Sequence, residues 1–170
     1  MDQTQSKPAA RSNLKALLRE NTNRHSFQNS FPMSRDAVYA GANVALFKVF
    51  AALDLKAKWS NSCEGLCIPA AEWKEFKAKM QSEARINANG TVFGEVTASS
   101  TLEFLLRSET VQLALNPKFP LGEAITTGAG TTLKEVFERL EAASAGFDGI
   151  ALSGAEWEKF KDDMRKEIER

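Results

Sequence analysis

Residues 44–59 carry two hydrophobic rhythms at once. Ala45, Phe47, Val49, Ala51, Leu53, Leu55, Ala57 and Trp59 fall on every second position, the spacing of a strand. Leu46, Val49, Phe50 and Leu53 also fall at the i, i+3, i+4, i+7 spacing of one helical face. A second stretch decides between them. Leu133, Val136, Phe137 and Leu140 repeat the helical set, while the alternation is lost. Thr132 followed by Glu135 reads as a capping box for that helix. Helices are therefore predicted over both 44–59 and 132–142. The preceding Gly128-Ala129-Gly130-Thr131-Thr132 reads as a flexible connection, with Ala40-Gly41-Ala42-Asn43 in the same place upstream.

Trp157, Phe160, Met164 and Ile168 form one helical stripe. Glu156, Glu158, Asp162 and Asp163 alternate with Lys159, Lys161, Arg165 and Lys166 around it, as on a solvated face. Ser153 is the predicted N-cap, with Glu156 three residues on, and Pro69 starts the corresponding helix upstream. Before these helices stand two short extended pieces, Leu66-Cys67-Ile68 and Ile150-Ala151-Leu152, each behind a glycine, Gly65 or Gly149. Earlier helices are predicted over 13–21 and 101–115. Phe31-Pro32 and Phe119-Pro120 end loops. Asn89-Gly90 and Gly94, with Thr91, Val92 and Val96, suggest a turn or small hairpin. Residues 1–11 are expected to form a disordered arm.

The same blocks occur twice. Residues 71–80 and 155–164 match at six of ten positions, including Trp73 with Trp157, two of the chain's three tryptophans. The offset between matching blocks is 88 for Leu14, Leu17, Leu18 and Arg19 against Leu102, Leu105, Leu106 and Arg107. It is 87 for the Leu46 and Leu133 blocks, and 84 for the tryptophan blocks. This drift places small deletions in the loops. The expected architecture is mainly α: two duplicated helical units, residues 12–88 and 98–170, packed with pseudo-two-fold symmetry around one shared core. Each unit alone is too small to bury a secure core.

Hydrophobic residues make up 43% and charged residues 26%, ordinary proportions for a globular protein. The formal net charge is zero, which argues against a strongly electrostatic nucleic-acid binder. Residues 1–35 are an exception: six basic residues (Lys7, Arg11, Lys15, Arg19, Arg24, Arg35) oppose Asp2 and Glu20, a local charge of +4. A solvated arm accounts for it. The most apolar stretch, residues 44–55, is short for a membrane span and is interrupted by Lys48 and Asp54. The first eleven residues lack an apolar signal core, so a cytoplasmic, intracellular protein is expected. Cys63 and Cys67, four apart with no partner pair or nearby histidine, do not make a zinc signature and read as reduced thiols.

Catalytic chemistry is thin. His25 is the only histidine and sits in a polar stretch read as an exposed loop, with no Ser-His-Asp or Cys-His set to join it. The glycine-rich 128–132 stretch lacks a P-loop lysine. No catalytic, cofactor-binding or metal-ligating residue is therefore assigned, and no cofactor is expected.

One grouping has a family likeness. A helix (residues 133–140), then Gly149-Ile150-Ala151-Leu152, then Glu156-Trp157-Glu158-Lys159-Phe160 resembles an EF-hand, and Phe50, Leu53, Gly65, Ile68, Glu72 and Trp73 repeat the grammar. Such hands pair through a short β ladder between their loops. The stretches from Glu141 to Glu156 and Asp54 to Glu72 run to 16 and 19 residues, and Lys56, Lys58, Ala143 and Ala145 stand where oxygen ligands belong. The resemblance thus implies degenerate, non-calcium units, as in the tubulin-polymerisation-promoting family of cytosolic binding proteins. Gly149-Ile150-Ala151-Leu152-Ser153 with Glu156-Trp157 is also similar to the last strand and helix of Whirly-type single-stranded nucleic-acid binders, a fit that needs strands over 132–142. The expectation is a non-enzymatic intracellular protein-interaction or scaffold module with a protein partner. A Whirly-like nucleic-acid binder and an enzyme with an unrecognised site are the alternatives.

Overall fold

Two helix–strand–helix runs form the centre of the molecule, and two further helices brace them. The computed structural model of the chain describes residues 13–29, 33–59, 65–85, 100–113, 122–144 and 148–168. Within these, α1 (Asn13–Asn29) leads into the first run, α2 (Met33–Trp59), β1 (Gly65–Pro69) and α3 (Ala70–Ala84). Then α4 (Leu102–Leu113) leads into the second, α5 (Gly122–Ala143), β2 (Gly149–Ser153) and α6 (Gly154–Ile168). The fold is mainly helical with one short two-stranded sheet.

β1 and β2 pair antiparallel, with Leu66 opposite Leu152, Cys67 opposite Ala151 and Ile68 opposite Ile150. Alternation puts Leu66, Ile68, Ile150 and Leu152 into the core. Gly65 and Gly149 open the strands at φ +141° and +128°, and a Cβ on either would stand 2.3 or 2.2 Å from a carbonyl oxygen of the facing strand. Only glycine fits such backbone.

α2 and α5 pack against each other more extensively than any other pair of elements. They cross on glycine. A Cβ at Gly41 would lie 1.9 Å from the Ile125 carbonyl oxygen, and one at Gly128 would lie 2.0 Å from the Val38 carbonyl oxygen. Around this crossing, Leu46, Val49, Phe50 and Leu53 meet Leu133, Val136, Phe137 and Leu140. Leu14 and Leu18 of α1 and Leu102 and Leu106 of α4 join the same apolar cluster, as do Trp73 and Trp157. α1 is also tied to α5 by Asn21 Nδ2, which donates to Thr131 Oγ1 at 2.8 Å.

Several sequence expectations need correction. α2 and α5 begin well before 44 and 132, so Thr132 lies inside α5 and caps nothing. Its side chain is fully buried and its hydroxyl has no hydrogen-bond partner. The 128–132 stretch is helix, not a flexible connection. Glycine weakens a helix by about 1 kcal/mol relative to alanine, but the close crossing requires it at 128. Residues 132–142, where a Whirly-like fold would need strands, belong to α5. His25 lies within α1 rather than a loop, its side chain outside the described residues. The capping box at Ser153 is present: Glu156 N donates to Ser153 Oγ at 3.2 Å and Ser153 N donates to Glu156 Oε1 at 2.8 Å. Pro69 stands at the N-cap of α3 with extended backbone. The arm at 1–11, the turn near 89–96 and both Phe-Pro pairs lie outside the described residues.

One segment, Asp36–Ala57, is long and apolar enough to cross a membrane by length and composition alone. Half of it is buried inside the fold, as befits the central helix of a packed core.

Candidate functional site

The two tryptophans fasten the runs together by reciprocal contacts. Trp73 Nε1 donates to Glu141 Oε2 at 2.8 Å, and Lys77 Nζ donates to the same oxygen. Trp157 Nε1 donates to Asp54 Oδ1 at 2.7 Å, and Lys161 Nζ donates to it at 2.9 Å. Each exit helix thus grips a carboxylate at the end of the other run's entry helix. The rings follow suit. Trp73 meets Phe137 edge-on at 5.3 Å and stacks on Phe76, while Trp157 meets Phe50 edge-on at 5.5 Å and stacks on Phe160.

The electrostatics fit this fastening role. Hydrogen bonding from Lys77 holds the Glu141 carboxyl below its ordinary range, partial burial opposes that, and the Trp73 N–H adds to it. Burial pulls the Lys161 ammonium down, but hydrogen bonds to Asp54 and Glu158 outweigh it and its pKa is raised. Lys161 is only 6% exposed, which corrects its placement on a solvated face. Its stem covers Trp157, with the ammonium 5.1 Å from the ring centroid, so the charge reaches Asp54 over apolar surface.

The runs differ in the crevice between entry and exit helix. Between α5 and α6 it is filled by Arg139. Arg139 Nε donates to Glu135 Oε2 at 2.8 Å, Nη2 donates to Glu167 Oε1 at 2.9 Å, and Nη1 reaches Glu167 and the Met164 sulfur at 3.3 Å. Burial lowers the guanidinium's pKa, but hydrogen bonds to Glu167 and Glu135 dominate and raise it. The corresponding places between α2 and α3 hold Ala52 for Arg139, Lys48 for Glu135, Met80 for Met164 and Glu83 for Glu167. Without the arginine, that crevice is an open groove of about 550 Å³. Ala52, Phe76 and Met80 form its apolar lining, with Leu55 58% exposed beside them. Lys48 and Lys56 line the α2 wall, and Glu72, Glu75 and Glu83 the α3 wall, with Lys79 among them. The Lys56–Glu72 ion pair, 2.6 Å, closes one end. At the other end Glu83 Oε1 accepts from Leu102 N, at the start of α4, at 2.7 Å.

Two other concavities lie elsewhere on the surface. One of about 610 Å³ runs between α3 and α5, with Arg85, Lys134, Thr126 and Thr127 on its rim. One of about 370 Å³ lies beside Phe47, which is 67% exposed, between α2 and α4. Among the described residues no cluster of three or more His, Cys, Asp or Glu side chains is placed to hold a metal ion. Glu156, Glu158, Asp162 and Asp163 sit on the exposed face as expected, in ion pairs that include Lys159–Asp163 and Lys161–Glu158. Cys67 is disulfide-bonded, and Cys63 is the chain's only other cysteine. The reading of reduced thiols is therefore wrong. A C-x3-C spacing argues against zinc but cannot by itself separate thiols from a disulfide.

Comparison with family models, with curated protein sequences and with solved structures finds no match to this chain.

Proposed function

We propose that this chain is a non-enzymatic protein-interaction module that docks a partner segment in the groove between α2 and α3. The observation that carries the reading is the difference between the crevices: Arg139 fills one, while Ala52 leaves the other open with an apolar lining and a charged rim. A groove between two helices suits an amphipathic segment, whose apolar stripe takes the lining while its flanks meet the charged residues beside it. The reciprocal tryptophan contacts support a duplicated, pseudo-two-fold architecture in which one unit has become the docking half. The two helix–strand–helix runs joined by a β ladder support the EF-hand-like resemblance. Lys56, engaged with Glu72, stands where that resemblance would need a ligand oxygen, so metal binding is not part of the proposal. The disulfide at Cys67 favours an oxidising compartment over the cytosol.

The test selects helical peptides from a displayed library on the folded protein, with Lys48→Glu/Ala52→Arg as the comparison. That variant writes the Arg139 arrangement into the first crevice. Peptides with apolar residues at i, i+3 or i+4, and i+7 that bind the parent and not the filled variant would support the proposal. Selected peptides that bind both proteins equally would overturn it.

A further inference from the structure

The chain itself displays what such a crevice accepts. Two features of the α5–α6 crevice recur beside the open groove: a methionine thioether, Met80 for Met164, and a carboxylate, Glu83 for Glu167. What is missing is the Glu-x3-Arg pair of Glu135 and Arg139, whose places are taken by Lys48 and Ala52. The groove therefore keeps the acceptor of an arginine without the arginine. Its rim has also gained a cation where the filled crevice has a carboxylate.

We propose that the groove's occupant is an amphipathic α-helix of a partner protein that lays an arginine across Met80 onto Glu83 and sets an acidic residue one turn away against Lys48. The inference rests on the docking reading above and specifies its ligand. Charge complementarity carries it. The α3 wall presents Glu75 and Glu83, and the α2 wall presents Lys48, so a helix with a basic and an acidic flank pairs with both at once. Arginine fits better than lysine. Its planar fork can hold a carboxylate while its stem lies on apolar surface, as Arg139 does against Glu167 and Met164. Glu83 already spends Oε1 on the Leu102 amide, which fixes its position, and among the described residues no cation pairs with it. The α3 wall from Glu72 to Glu83 spans eleven steps of 1.5 Å, about 16 Å, so a partner helix of about three turns covers it.

The experiment uses side-chain-stapled helices of about three turns, with a Leu stripe and a Glu-x3-Arg pair on the flank. A matched peptide replaces Arg with Gln. Fluorescence anisotropy measures binding to the 170-residue parent, to Glu83→Gln, to Lys48→Glu/Ala52→Arg and to Leu55→Glu. The Glu83→Gln change keeps a side-chain oxygen for the Leu102 amide, and Leu55 is exposed enough to change without harming the core. The arginine peptide should bind at least about tenfold tighter than its Gln version. Glu83→Gln should erase that preference, and the two groove variants should abolish binding. Equal affinity of the Arg and Gln peptides for the parent, with the groove variants still blocking both, would overturn the arginine inference while the docking reading stands. No binding of either peptide, or binding untouched by both groove variants, would overturn both.

Discussion

The crossing of α2 and α5 makes a sharp prediction about three glycines. A methyl group at Gly41 or Gly128 would sit 1.9 or 2.0 Å from a carbonyl oxygen of the facing helix. Contacts under 3.0 Å do not survive in folded proteins, so the helices must separate by about 1 Å or more at the crossing. The obstacle is backbone, which has no rotamer to swing aside. A gap of that size forfeits a quarter to a half of each dispersion contact along the interface. That interface includes Leu46, Val49, Leu133 and Val136, all almost fully buried. Overpacking of this kind costs about 3 kcal/mol or more, and the better helix propensity of alanine returns about 1 kcal/mol. The net loss for Gly41→Ala or Gly128→Ala is about 2–3 kcal/mol, or a fall of several degrees in melting temperature for a chain of this size. Gly130 is the internal control. It lies two residues along the same helix, a Cβ there meets nothing within 4 Å, and Gly130→Ala should stabilise by about 0.5–1 kcal/mol. Urea unfolding followed by tryptophan fluorescence reads all three. A Gly128→Ala protein as stable as Gly130→Ala would mean that α2 and α5 do not meet backbone to backbone.

Three further outcomes are expected. Truncating Trp73 or Trp157 to alanine should cost about 3–5 kcal/mol in equilibrium unfolding, because each loses a buried ring and leaves a carboxylate–lysine pair without its indole donor. Glu141 has a lowered folded-state pKa, so its contribution to stability is present above the ordinary carboxyl range and is lost as acid titrates it through the lower folded value; Glu141→Gln should flatten that part of the stability–pH curve, and an unchanged curve would refute the fastening role. Cys67→Ser, or reduction, should lower stability by about 2 kcal/mol if the bond closes the short loop to Cys63, and mass spectrometry of the unreduced protein should find no thiol there.

The sequence made the helices legible where two similar stretches could be compared, and misled where one residue type had two uses. Matching Trp73 to Trp157 placed both in the core because the scarcest residue fell in register with Glu, Phe, Lys and Met. Gly41 and Gly128 read as punctuation because glycine usually ends helices, whereas here it lets two helices touch, a tertiary demand that no local pattern records. Thr132 with Glu135 satisfied the capping pattern by chance inside a longer helix. Lys161 looked solvated on a helical wheel. The signal that could have corrected this was present, since Lys77 and Lys161 stand at matching positions of the two similar stretches, as do Asp54 and Glu141, with opposite charge in each. The groove itself was not readable in advance. Setting residue 52 against residue 139 shows alanine facing arginine, but only the structure shows that Arg139 fills a crevice rather than lying in solvent.

That one substitution bears most directly on function. An arginine at position 52 with a glutamate at 48 has a worked precedent in this same chain, where Arg139, steadied by Glu135 of its own helix, joins α5 to α6 through two hydrogen bonds to Glu167 and a contact to the Met164 sulfur. The open crevice instead has Leu55, more than half exposed, and Lys48 along its lining, a local arrangement without any visible gain in the folded chain. Sequences break their own packing rules mainly where something else must bind. The stability of Lys48→Glu/Ala52→Arg therefore discriminates. If filling the groove raises the unfolding free energy while removing peptide binding, the open groove is maintained at the expense of stability, as a docking site should be. If filling it destabilises the protein, the two crevices are not equivalent in geometry, and Arg139 ceases to be a guide to what the groove receives.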